Sequence, residues 1–108
     1  MKEQALLVYC TVPNVDEAKS IARLLINKKL AACCNVVPGL VSVFRWEGKM
    51  NEESEVMLLI KTSLKKYDQL EKEIKMIHSY SIPEIIATPI VNASSAYLDW
   101  ILEMTGEK

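Results

Sequence analysis

The side chains of this sequence best suited to nucleophilic or soft-ligand chemistry are Cys10, Cys33, Cys34 and His78. Their spacing limits that chemistry. No C-x-x-C pair occurs, so neither a structural zinc site nor a thioredoxin-like redox pair is written into the chain. An odd set of cysteines containing two neighbours makes no disulfide scaffold. Reduced thiols are expected, with Cys33 and Cys34 as small strand residues, one of them packed inward. His78 is the only histidine, and no Ser-His-Asp set or HExxH accompanies it. The three glycines form no phosphate-cradling loop, so an enzyme is not expected. His78 falls at the end of a helical stretch, where its cation would be favoured by the last carbonyls. Glu55 and Lys61 lie at either end of a strand and are expected to be exposed or paired at an interface. Trp46 and Trp100 read as packing or subunit-contact anchors.

The frame for these residues is a single domain, residues 1–108, because 108 residues suffice for one proper core and no second. Thirteen basic and fourteen acidic residues leave a net charge of -1, so no global field draws the chain to nucleic acid or to a membrane. No apolar stretch approaches a bilayer span. Met1-Lys2-Glu3-Gln4, followed by a short apolar run without a small-residue cleavage site, is not a signal peptide. A cytoplasmic protein is expected.

The elements follow from pattern. Residues 4–11 read as a strand ended by Pro13, which has no amide hydrogen for a ladder. Asn14 with Glu17 three positions on resembles a capping box. It opens a helix with Ala18, Ile21, Ala22 and Leu25 on one face, stopping near Lys28 or Lys29. Residues 31–37 form a second strand, bent or bulged at Pro38-Gly39 and resumed through Val41, Val43 and Arg45 alternating with Ser42, Phe44 and Trp46. A turn over residues 47–51 leads to a third strand from about Glu53 to Thr62, giving a long hairpin that overhangs the sheet as an arm. Ser63 caps a helix with the stripe Tyr67, Leu70, Ile74 and Ile77, ending near His78-Ser79. A fourth strand, residues 84–91, carries Pro89 and belongs at an edge. A last helix begins at Ser94 or Ser95, presents Tyr97, Trp100, Ile101 and Met104, and ends at Gly106.

This order is an α+β, ferredoxin-like split βαβ fold: β-α-β-β-α-β plus a C-terminal helix, with the first and third strands central. Those two strands carry the runs Ala5 to Tyr9 and Val56 to Ile60, which have no polar face. With two helices on one side of the sheet, the other side needs a cover, and another copy of the chain is the simplest. The run from Val56 to Ile60 has no aromatic on which RNA bases could stack, so an RNA-recognition role is not expected.

Several short motifs occur in one order along the chain: Tyr9-Cys10-Thr11-x-Pro13, Leu30-Ala31-Ala32-Cys33-x-Asn35, Pro38-Gly39, Trp46-Glu47-Gly48-Lys49, Glu55, Lys61-Thr62, His78-x-Tyr80, Pro83-Glu84-Ile85 and Ala96-Tyr97-Leu98-x-Trp100. Together they resemble the CutA family of divalent-cation tolerance proteins. The resemblance implies a homotrimer, much like the PII signal-transduction proteins, with sheets facing inward and hairpin arms gripping neighbours; Trp46, Glu47 and Trp100 are the expected interface residues. It also implies a role in tolerance of copper or other divalent metals. The family's copper-binding groups map onto Cys10 and His78, with Glu55 as a nearby carboxylate, a donor set that suits copper or zinc. Ile77 stands where family members that bind copper carry a second histidine, Ser79 replaces a common proline and Ala93 a common glycine. No organic cofactor is implied. Two readings result: a trimeric metal-tolerance protein that binds copper directly, or a PII-like trimer that binds a small ligand or a protein in clefts between subunits.

Overall fold

The computed structural model describes residues 4–106. Residues 1–3, the start of the segment read as no signal peptide, and residues 107–108 lie outside the described residues. The elements are β1 (Ala5–Val12), α1 (Val15–Asn27), β2 (Cys33–Trp46), β3 (Lys49–Ser63), a 3-10 turn (Leu64–Lys66), α2 (Tyr67–Ile77), β4 (Ile85–Pro89) and α3 (Ser95–Met104). One four-stranded sheet runs in the order β2-β3-β1-β4, every neighbouring pair antiparallel. The two apolar runs are therefore central, and the strand with Pro89 at its end is an edge.

Residues of β1 and β3 alternate between two faces. Leu6, Val8, Cys10 and Val12 meet Val56, Leu58 and Ile60 on one face, under Ala18, Ile21 and Leu25 of α1 and Leu70 and Ile74 of α2. Each fully buried Leu or Ile there stabilises the fold by roughly 2–3 kcal/mol. Cys34 packs against this cluster. Cys33, one residue earlier, points to the opposite face, where Tyr97 of α3 interacts with it. The chain's own third helix thus covers part of the face expected to await a partner. Leu7, Tyr9, Met57 and Leu59 on that face are half-buried, while Ile86 remains 56% exposed.

Several boundaries differ from the sequence expectation for local reasons. Glu47 and Gly48 take φ of 52° and 78°, a two-residue turn whose twist matches the strands it joins. β3 therefore starts at Lys49, not near Glu53, and the arm draws the molecule out to 47 Å against 25 and 22 Å. Ser63 begins the 3-10 turn with no side-chain cap bond, so α2 starts only at Tyr67. Ile77 ends the helix and is 44% exposed instead of closing its apolar stripe. α1 ends in a Schellman motif: Leu30 N–H donates to Leu25 O at 2.9 Å and Lys29 N–H to Ile26 O at 3.1 Å. Lys29 takes the left-handed φ of 58° that glycine usually fills there.

Candidate functional site

Beyond the end of β1 the sheet opens into a cleft of ≈ 810 Å³. Three segments make its walls: Thr11 near the end of β1 with Pro13 just beyond it, the base of the arm, and the loop between α2 and β4. The base of the arm is set by a bulge. Val37 pairs with Met57 but Leu40 pairs with Glu55, so β2 gains one residue across Pro38-Gly39, with Gly39 at φ 85°. The extra residue exchanges the two faces of β2 from that point on. Ser42, Phe44 and Trp46 consequently share a face with Glu53 and Glu55, and Arg45 is turned to the other side.

Glu55, expected to be exposed or paired at an interface, is buried at 8% exposure. It sits just past the last β1–β3 pair, Val12 with Val56, where the loop after α2 wraps around the strand end. Tyr80 of that loop donates its hydroxyl to Glu55 Oε2 at 2.8 Å. Burial, then the bond to Glu55, pushes the Tyr80 hydroxyl pKa well above its ordinary value, so the hydroxyl holds its proton.

His78 anchors this loop. Its ring is buried, with Nε2 2.8 Å from Thr11 O and Nδ1 3.0 Å from Tyr80 N. An amide N–H can only donate, so Nδ1 accepts and Nε2 carries the hydrogen given to Thr11. The helix-end cation expected from sequence is replaced by a strut between β1 and the loop. The reason is backbone direction: His78 leaves the helix with ψ of 138°, turning its ring toward the end of β1. Glu17 braces the same corner, accepting from Ser79 N and Oγ at 3.0 and 2.9 Å and lying 3.6 Å from His78 Nδ1. Asn14 Oδ1 does accept from Glu17 N at 2.8 Å, but the Glu17 carboxylate serves this cross-link instead of closing a capping box.

The three residues the resemblance marks for copper do not make a metal centre within one chain. Cys10 faces the helices and is fully buried. Burial first, then Glu84, Glu17 and Glu55, pushes its thiol up to about 12, which disfavours the thiolate a metal would need. Both ring nitrogens of His78 are engaged, and Tyr80 holds Glu55. Among the described residues no three of His, Cys, Asp and Glu are grouped so as to hold a metal ion. The anchors named from sequence lie at the surface. Trp46 borders the cleft, with its indole N–H given to Glu47 Oε1 at 3.1 Å. Trp100 stacks obliquely on Tyr97, with centroids 5.4 Å apart. Sequence reasoning missed Tyr80 as a cleft residue. Its only signal was the pairing of a polar aromatic with the histidine two positions before it.

Residues 6–104 match the family described as CutA1 divalent ion tolerance protein. The divalent-cation tolerance protein CutA of Thermus thermophilus is 44% identical over 100 residues, 93% of this chain and 97% of its own length. The chloroplastic protein CutA of Arabidopsis thaliana is 43% identical over 101 residues, 94% of this chain but 56% of that longer protein. The crystal structure of CutA1 from Oryza sativa superposes with a TM-score of 0.94 at 42% identity, covering 98% of this chain and 97% of the other.

Proposed function

Since the chain belongs to the CutA1 divalent ion tolerance family, we propose that it serves divalent-cation tolerance as a cytoplasmic homotrimer. In this reading it acts through the cleft beside Glu55, and not through metal held by Cys10, His78 and Glu55. One observation carries it: the imidazole and thiol are spent inside the subunit, while the cleft stands open. The three thiols are free, which suits a reducing compartment.

Assembly is supported by what the subunit leaves uncovered. Val43 at 59%, Met50 at 76% and Ile86 at 56% exposure run along the arm and the outer strand, a distribution suited to a second copy and poorly suited to water. Light scattering on the purified protein is expected to give a particle of three chains, and Ile86→Lys to lower that mass. A monodisperse single chain at micromolar concentration would refute the assembly. The PII-like version of the function, a trimer taking a small ligand where subunits meet, is the one the cleft favours.

Copper titration separates this function from direct metal binding. Wild type, Cys10→Ser and His78→Gln, each confirmed as folded by circular dichroism, are expected to give the same copper stoichiometry. Loss of a stoichiometric copper ion in either folded variant would return the metal role to those side chains.

A further inference from the structure

We infer that His78 is an acid-released latch: protonation of its ring frees the loop between α2 and β4 from the body of the subunit. The latch lies inside one chain and does not depend on what the cleft binds. Its imidazole side chain has no exposed surface, so neither a second copy nor the openness of the cleft enters the geometry. At Nε2 the ring gives its hydrogen to Thr11 O of β1 at 2.8 Å, and at Nδ1 a lone pair receives the Tyr80 N–H at 3.0 Å. Only the neutral ring can do both. A protonated imidazole carries hydrogen on both nitrogens and accepts nothing, so acid sets two N–H groups against each other where the loop is now tied.

The alternative partner is already in place. Glu17 Oε2 of α1 lies 3.6 Å from Nδ1, too far for a hydrogen bond and near enough to take one after a small movement of the ring. That same oxygen now accepts from the N–H and Oγ of Ser79, the residue between His78 and Tyr80, at 3.0 and 2.9 Å. A carboxylate drawn toward the imidazolium is shared with those donors, so both ties of the loop weaken together. The other titratable groups of this corner are Cys10 of β1, Glu53 and Glu55 of β3, and Tyr80 and Glu84 of the loop. No lysine or arginine is among them. Every ionised neighbour is thus a carboxylate, and the cation, once formed, has counter-charges beside it. Tyr80 carries the change outward, because its hydroxyl holds Glu55 at 2.8 Å and a displaced Tyr80 backbone gives up that bond. The sign follows from the protons: the ring holds one hydrogen in the latched loop and two in the released one, so the latched state is lost as pH falls.

The isotope-labelled full chain in its native assembly is titrated by NMR over roughly pH 8 to 5, the range in which imidazoles ordinarily take up a proton. The His78 ring nitrogens and the Tyr80 amide are read in the same samples. At the alkaline end the ring is expected to carry its hydrogen on Nε2. On acidification Nδ1 gains a hydrogen, and the Tyr80 amide signal is expected to move with the same midpoint. Protection of that amide against hydrogen exchange, corrected for the intrinsic rate at each pH, is expected to fall about tenfold, the worth of one hydrogen bond. Glu17→Gln keeps an acceptor for Ser79 but loses the charge that receives the cation, and is expected to move the midpoint to lower pH. His78→Gln offers Tyr80 an acceptor and Thr11 a donor without titrating, and is expected to leave the Tyr80 amide unmoved throughout. Should His78→Gln fail to fold, the shift in Glu17→Gln stands as the test. Four results would each overturn the latch: a Tyr80 amide that stays protected while the ring titrates, a ring that takes up no proton before the protein unfolds, an unmoved midpoint in folded Glu17→Gln, or a Tyr80 response that persists in folded His78→Gln.

Discussion

Replacing His78 with leucine is expected to destabilise the protein by about 3 kcal/mol. Leucine nearly fills the volume, so the loss is polar: Thr11 O and Tyr80 N–H, now held at 2.8 and 3.0 Å, are left without their partner. A buried group stripped of its bond costs roughly 1–3 kcal/mol. Urea unfolding at fixed protein concentration measures the difference, with Ser79→Ala as the control. That control removes an exposed hydroxyl contact with Glu17 and is expected to cost under about 1 kcal/mol. Equal costs for the two variants would mean that the imidazole is not a strut. Because Tyr80 is fixed at one end by His78 and reaches Glu55 at the other, the leucine variant is also expected to loosen the cleft wall.

Stability is expected to fall steeply in alkali, through the buried thiols. Cys10 rises from an ordinary 9.0 to about 12 by burial first, then by Glu84, Glu17 and Glu55. Cys34 rises to the same value by burial, then by Cys33, with Lys61 opposing. Below pH 9.0 both thiols keep their protons whether the chain is folded or not, and contribute no pH dependence. Between 9.0 and about 12 the unfolded thiols ionise while the folded ones do not. Unfolding then releases protons, and stability is lost as pH rises, by about 1.4 kcal/mol per pH unit for each thiol. Cys10→Ala removes one of the two contributions. The stability gap between wild type and this variant is expected to change by roughly 2–3 kcal/mol between neutral pH and pH 11, in favour of the variant. Parallel pH profiles would show that the Cys10 thiol ionises as freely in the folded chain as in the unfolded one.

Much of the architecture was legible because it follows from local periodicity. The runs of β1 and β3 without a polar face could only be central, and Pro89 could only be near an edge. Asn14 and Ser94 were readable as helix caps, and both side chains accept the bonds that caps accept. The family was legible from motifs spread along the chain, and its match spans residues 6–104. The candidate site was far less legible. Cys10, His78 and Glu55 were singled out by chemical type and resemblance, and type does not reveal whether a lone pair is already spent. Glu17 and Tyr80, which complete the corner and the cleft, are 62 and 25 residues from the partners they bond.

Sequence alone determined the class of fold, the central strands, the long hairpin and the kinship, because period-two and helical patterns and turn residues are properties of neighbours along the chain. Only the tertiary structure decided what faces the cleft. One extra residue at Pro38-Gly39 put Phe44 and Trp46, in register with Asn51 and Lys49, on the same face as Glu55. The ψ of His78 aimed its ring at Thr11 and so placed Tyr80. Strand register and the path of a loop around a strand end are set by contacts between residues remote in sequence, and these convert a histidine that resembles a ligand into a strut.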